Sequence, residues 1–150
     1  MNIIEEIKKN NYLNNIIYVN ISVFIIINIF IVILFLLQKN IEIISIFGAS
    51  SNIEVLVRKP WTIITYMFVH EDFFHVFMNM LWLYFSGKIF TQYLSQKQLL
   101  STYLMGGFIG AIIYILAFNI FPVFDSIKYD SVAIGASASV FAILIATATH

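Results

Sequence analysis

Gly135-Ala136-Ser137-Ala138-Ser139 sets a hydroxyl among residues too small to shield it, inside an otherwise apolar stretch. Far earlier in the chain, His75 and Asn79 sit in a second apolar stretch. Polar groups at membrane depth are costly, and by default they mark function rather than packing. His75 and Asn79 are four residues apart, so on a helix they share one face, about one turn from each other. Both side chains donate hydrogen bonds while neutral, and two such donors aimed at one point are what a developing oxyanion needs. The same pair also suits a simpler role, an interhelical hydrogen bond that holds a bundle together. Ser137 has two readings as well. Small serines are common in packed membrane helices, yet here Gly135 and Ala138 would let a substrate backbone come close, about one turn into a helix whose free N–H groups supply positive potential. Ser139, about 200° further round a helix, is expected to face elsewhere.

A serine nucleophile needs a base. The chain has three histidines. His70-Glu71 opens like the zinc-protease motif H-E-x-x-H, but the next histidine is His75, about 140° away around a helix, so no two-histidine metal face forms. His70 is expected to be structural or interfacial. His150 lies about 20 Å along the axis from Ser137 if one helix carries both, too far to take its proton. The expected site therefore comprises Ser137 as nucleophile and His75 and Asn79 as oxyanion donors, with no base in this chain, no metal and no cofactor. The chain has no cysteine, which removes thiol catalysis and thiolate metal sites.

The elements that must hold these groups are membrane helices. Hydrophobic residues make up 61% of the chain and charged ones 11%, against roughly 25% charged in soluble domains. The mean hydropathy is +0.91. Residues 16–37 carry no charge over 22 positions, enough for a span of about 20 and too long for a signal peptide, with no small-residue cleavage site after it. Further spans are expected over 73–94, 99–121 and 132–150. Gly106/Gly110 and Gly107/Ala111 are small-xxx-small pairs that let helices approach closely in lipid, and Pro122 ends the third span. The fourth stretch is so rich in Ala and Gly that it suits a central helix.

Residues 1–15 read as a short polar lead, either an interfacial turn or a solvated tail. Residues 38–70 form the longest connection. It is Ile-rich and is expected to lie in the membrane interface, with Pro60-Trp61 as a turn and headgroup anchor. Gly48-Ala49-Ser50 repeats the Gly-Ala-Ser tripeptide there, but it opens no apolar helix and carries no catalytic signal of its own. The net charge is zero, which indicates neither a nucleic-acid partner nor an acidic substrate. With the N-terminus inside, Lys8, Lys9, Lys88 and Lys97 face Lys39, Arg58, Lys59 and Lys128 across the membrane, so the positive-inside rule gives no orientation.

Together, Phe47-Gly48-Ala49-Ser50, Lys59-Pro60-Trp61 through His70, and His75-Val76-Phe77-Met78-Asn79 resemble the first loop and second helix of the rhomboid family of intramembrane serine proteases. Gly135-Ala136-Ser137-Ala138 resembles that family's G-x-S-G motif at the head of its fourth helix. The similarity covers about residues 17–150. It implies an all-α membrane protein, a polytopic helical bundle with four of six or more transmembrane helices present. It also implies a water-filled cavity, Ser137 as nucleophile, and His75 and Asn79, with the Ser137 N–H, as oxyanion donors. The family's base is a histidine on its sixth helix in an A-H-x-x-G setting, and His150 matches no position in that motif.

Three positions depart from the family. Ala138 stands in place of the motif's final glycine, so its methyl is expected to narrow the approach to Ser137. Thr62 follows Trp61 where many members have Arg, and Tyr66 stands where some have a further His.

The resemblance implies intramembrane cleavage of transmembrane-helix substrates through an acyl-enzyme on a Ser–His dyad, without metal or cofactor. The expected partners are transmembrane-protein substrates and the lipid bilayer. The alternative is a catalytically inactive relative that binds transmembrane helices. The 150 residues alone are expected to be inactive. Abundant Ile, Asn and Lys fit an AT-rich genome, and the expected location is a bacterial inner membrane, multi-pass.

Overall fold

The computed structural model describes residues 11–39 and 41–149. The polar lead through Asn10 and His150 lie outside the described residues. The chain is nearly all helix. Three long helices, α1 (Tyr12–Leu36), α5 (Phe73–Tyr93) and α6 (Gln96–Ile120), carry α7 (Ser137–Ala148) between them. Short pieces fill the connections: α2 (Ile43–Phe47), β1 (Ala49–Ser50), α3 (Ile53–Arg58), α4 (Thr62–Thr65), single 3-10 turns at Tyr66–Phe68 and Pro122–Phe124, and β2 (Val132–Ala133).

The helix starts are those that capping chemistry selects. Asn11 caps α1 through the Asn14 N–H, and Asp72 caps α5 by accepting from the His75 N–H at 2.8 Å. Ser95 and Gln98 form a reciprocal capping box on α6, in which each side chain satisfies a free N–H of the first turn. Gln96 then reaches back to the Leu13 N–H and ties the start of α6 to that of α1.

α1 and α6 are long and apolar enough to cross a membrane. α5 is 21 residues long, but Lys88, Gln92 and the polar groups of its inner face make it less apolar. The first three expected spans match these helices to within a few residues. The fourth does not. Residues 132–136 are a strand and a turn, and α7 is a helix of 12 residues.

The core lies where α1, α5 and α6 meet, around Leu13, Leu83, Phe90, Leu99 and Tyr103, with Ile143 of α7 buried beside them. Backbones approach closely at the glycines. A Cβ on Gly106 would strike that of Ala142, and one on Gly110 would lie 2.5 Å from that of Ala138. The Gly106-x-x-x-Gly110 ridge therefore seats the Ala138-x-x-x-Ala142 ridge, the small-residue contact that brings helices together in lipid. Buried polar side chains are paired across the same region: Asn20 donates to the Tyr103 hydroxyl at 3.0 Å, and the Tyr66 hydroxyl donates to the Gly107 carbonyl at 2.7 Å.

The expected interfacial loop is an ordered clamp. β1 pairs antiparallel with β2, Ala49 opposite Ala133 and Ser50 opposite Val132. The second Gly-Ala-Ser, silent by itself, thus holds the strand that leads into the first. Ser51 completes the tie. Its hydroxyl donates to the Lys128 and Ser131 carbonyls, its N–H donates to the Ser131 carbonyl, and its own carbonyl accepts from Asn119 of α6. Inside the loop, Lys59 Nζ and the Trp61 indole donate to the Ser45 and Ile46 carbonyls. Thr62 is buried, with its hydroxyl on the Lys59 carbonyl.

Candidate functional site

The turn before α7 is held from three sides. Gly135 adopts φ +102°, a conformation that side chains other than hydrogen rarely tolerate. Its N–H donates to the Tyr66 carbonyl at 2.9 Å. A Cβ there would lie 2.6 Å from His75 Nε2, so only glycine admits the imidazole against this backbone. Ala136, the N-cap of α7, has no side-chain partner for the free N–H groups of the first turn. Its own N–H points at His70 Nε2, 3.4 Å away.

Ser137 is the first residue of α7. This corrects the expectation of a serine one turn inside the helix, because β2 and the Gly135 turn use the residues that a continuous apolar helix would have taken. The new position strengthens the electrostatic argument: a hydroxyl at the first helical position lies next to uncapped N–H groups and the positive end of the helix dipole. Ser137 is exposed, and among the described residues its hydroxyl makes no hydrogen bond. Ser139 is fully buried on the other side, in the seam with α6, where a Cβ on Gly107 would lie 2.6 Å from its hydroxyl.

Ser137, His75 and Asn79 line one groove of 460 Å³ between α5 and α7. The remaining lining is mainly apolar, Trp82 and Phe141 included, and it also takes in Asp72. Asn79 is 8% exposed, and its amide donates to the His75 carbonyl at 3.0 Å. That bond fixes the amide and leaves one of its two N–H groups uncommitted. His75 and Asn79 thus share α5, as their spacing predicts, and tertiary packing brings them into one groove with Ser137.

Sequence reasoning missed the residues that support this geometry. His70 was expected to be only structural or interfacial, yet it is 2% exposed, its ring stands edge-on to His75 with centroids 5.1 Å apart, and it faces the backbone of the serine turn. Burial, with the charge of His75 adding, pushes its imidazole down to about 4, so it is neutral at neutral pH. With Nε2 accepting from Ala136, the proton resides on Nδ1, which lies near the Phe68 backbone without a hydrogen bond of full geometry. The usable signal was Asp72: an N-cap there leaves His70 outside the helix, so helical angles do not apply and its ring can fold back. Tyr66 grips the turn by its carbonyl and α6 by its hydroxyl.

The methyl of Ala138 was expected to narrow the approach to Ser137. It faces Gly110 of α6 instead, and Ala138 is not part of the groove wall. No group of three or more His, Cys, Asp or Glu side chains is placed to hold a metal among the described residues.

The family model that describes the Rhomboid domain matches residues 57–150. The match begins just before the Pro60-Trp61 turn and takes in His70, the α5 pair and the serine turn. No curated protein and no solved structure matches the chain.

Proposed function

The chain belongs to the rhomboid family, and on that premise we propose that it is the substrate-handling part of an intramembrane serine endopeptidase. The observation that carries this reading is the single groove shared by Ser137, His75 and Asn79. The substrate is a transmembrane helix unwound near its end, since helical backbone is hydrogen-bonded to itself and must open before attack. Ser137 Oγ adds to the scissile carbonyl carbon as its proton passes to a base. The carbonyl oxygen, now an oxyanion, takes hydrogen bonds from the free N–H of the Asn79 amide, from His75, and from the uncapped N–H of Ser137. Collapse expels the amine fragment, protonated by that base, and leaves an acyl-serine. Water activated by the same base then releases the acid fragment.

None of the described residues is assigned as the base. His70 is committed to the Ala136 N–H, and no hydrogen bond joins His75 to Ser137 among the described residues. On this reading none of the chain's three histidines is the base of the dyad. On the same reading the chain is a multi-pass protein of a bacterial inner membrane, with transmembrane proteins as its partners. A second reading, a helix-binding relative that does not cut, is favoured by the unengaged Ser137 hydroxyl.

The test is a fluorophosphonate probe applied to the protein in its native membranes, alongside a transmembrane-helix substrate. Labelling at Ser137 with cleavage products, both lost in Ser137→Ala, supports the protease. Retention of the substrate without label or cleavage supports the binder. Strong labelling of the 150-residue chain alone would refute the assignment of the base outside it.

A further inference from the structure

Asp72 is the one charged residue in the wall of the Ser137 groove. Its capping role uses only one carboxylate oxygen, which accepts the His75 N–H at 2.8 Å. Among the described residues no lysine or arginine pairs with it, the one ion pair being Lys128–Asp125. Asp72 is exposed, and Trp82, Phe74, Met78 and Phe141 line the same groove. Glu71, its neighbour in sequence, lines a different cavity of 630 Å³ together with His70, Glu42 and Asp130.

A mainly apolar groove with aromatic residues and one carboxylate in its lining suits a long aliphatic stem that carries a cation. The stem of lysine or arginine lies along apolar surface while its charged head reaches a polar partner, and an aromatic face adds attraction for that cation. An aliphatic side chain would leave the carboxylate unpaired, and an acidic one would meet like charge. We propose that Asp72 is a specificity-determining residue that selects transmembrane-helix substrates carrying a lysine or arginine next to the bond presented to Ser137. This inference rests on the protease reading for the place of the substrate, but it concerns binding and can be read without cleavage.

The experiment uses the full chain in lipid nanodiscs and fluorescent transmembrane peptides. Lysine, norleucine or glutamate is scanned through the residues flanking the helix end, and Kd is read by fluorescence anisotropy. Norleucine keeps the lysine stem and removes the cation. At one position the lysine peptide is expected to bind on the order of fivefold to tenfold more tightly than the norleucine peptide, with glutamate weakest. Asp72→Asn keeps a capping oxygen for the His75 N–H, so the fold persists, and on this variant lysine and norleucine peptides bind alike. Glu71→Gln keeps the preference.

Equal binding of lysine and norleucine peptides by the wild-type chain, or a preference that survives Asp72→Asn, overturns the proposal while leaving the protease reading in place. Loss of the preference in Glu71→Gln instead assigns it to the wrong carboxylate and equally overturns it. Failure of every peptide to bind overturns the substrate reading itself, and this proposal with it.

Discussion

Asn79 commits one amide hydrogen to the carbonyl of His75 and keeps the other, so the amide is already oriented for the oxyanion role proposed for it. Asn79→Ala is expected to lower kcat about 10²–10³-fold with little change in KM, measured on a transmembrane peptide with the complete protein. A rise in KM with kcat unchanged would assign Asn79 to substrate contact instead. His70 makes a separate prediction. Its imidazole is pushed down to about 4 in the folded chain against about 6.5 unfolded. Between these values the unfolded chain binds a proton that the folded one does not. Stability is therefore constant above pH 6.5 from this source and falls as pH is lowered toward 4. Thermal unfolding in micelles should show that loss for the wild type and a shallower one for His70→Gln. At this scale the α5 pair was legible because four-residue spacing is a rule of helices. His70 was not, since it precedes the cap and belongs to no periodic element.

Two ridges of small residues decide where Ser137 stands. Gly106 and Gly110 of α6 receive Ala142 and Ala138 of α7, and β1 holds β2 just ahead of the serine turn. Ala138 is thus a residue of the helix seam, not of the groove. Ala138→Gly is expected to cost about 1–2 kcal/mol through lost burial and helix propensity, while the rate of serine labelling in the complete protein stays near wild type. A large gain in labelling rate with unchanged unfolding would return the methyl to the substrate path. The small-xxx-small pattern announced the close helix contact from sequence. What it lacked was the partner: nothing local says which helix a glycine face will meet. The start of α7 escaped the sequence for a related reason. Apolarity continues through Val132, Ala133 and Ile134, so hydropathy cannot see that pairing with Ser50 and Ala49 turns Val132 and Ala133 into a strand.

Across the whole molecule the outer faces are apolar. On α1, Ile25, Ile26, Ile29, Phe30 and Val32 are all exposed, an arrangement that water would penalise and lipid accepts. Alkaline carbonate washing of membranes that contain the chain is expected to leave it in the pellet, and release into the supernatant would count against membrane insertion. Exposed aromatics also flank the groove, Phe74 and Trp82 on α5 and Phe141 on α7.

By itself the sequence determined the helical class, three long helices to within a few residues, the family, and the shared face of His75 and Asn79. Each of these follows from composition, periodicity or local spacing, which act within one element. Only the tertiary structure decided that Ser137 begins its helix, that His70 and Tyr66 hold its turn, that Ala138 points away from the groove, and that Asp72 lines it. Those outcomes depend on strand pairing and helix packing between residues distant in sequence, where contact is set by which surfaces fit together and no local pattern carries the information.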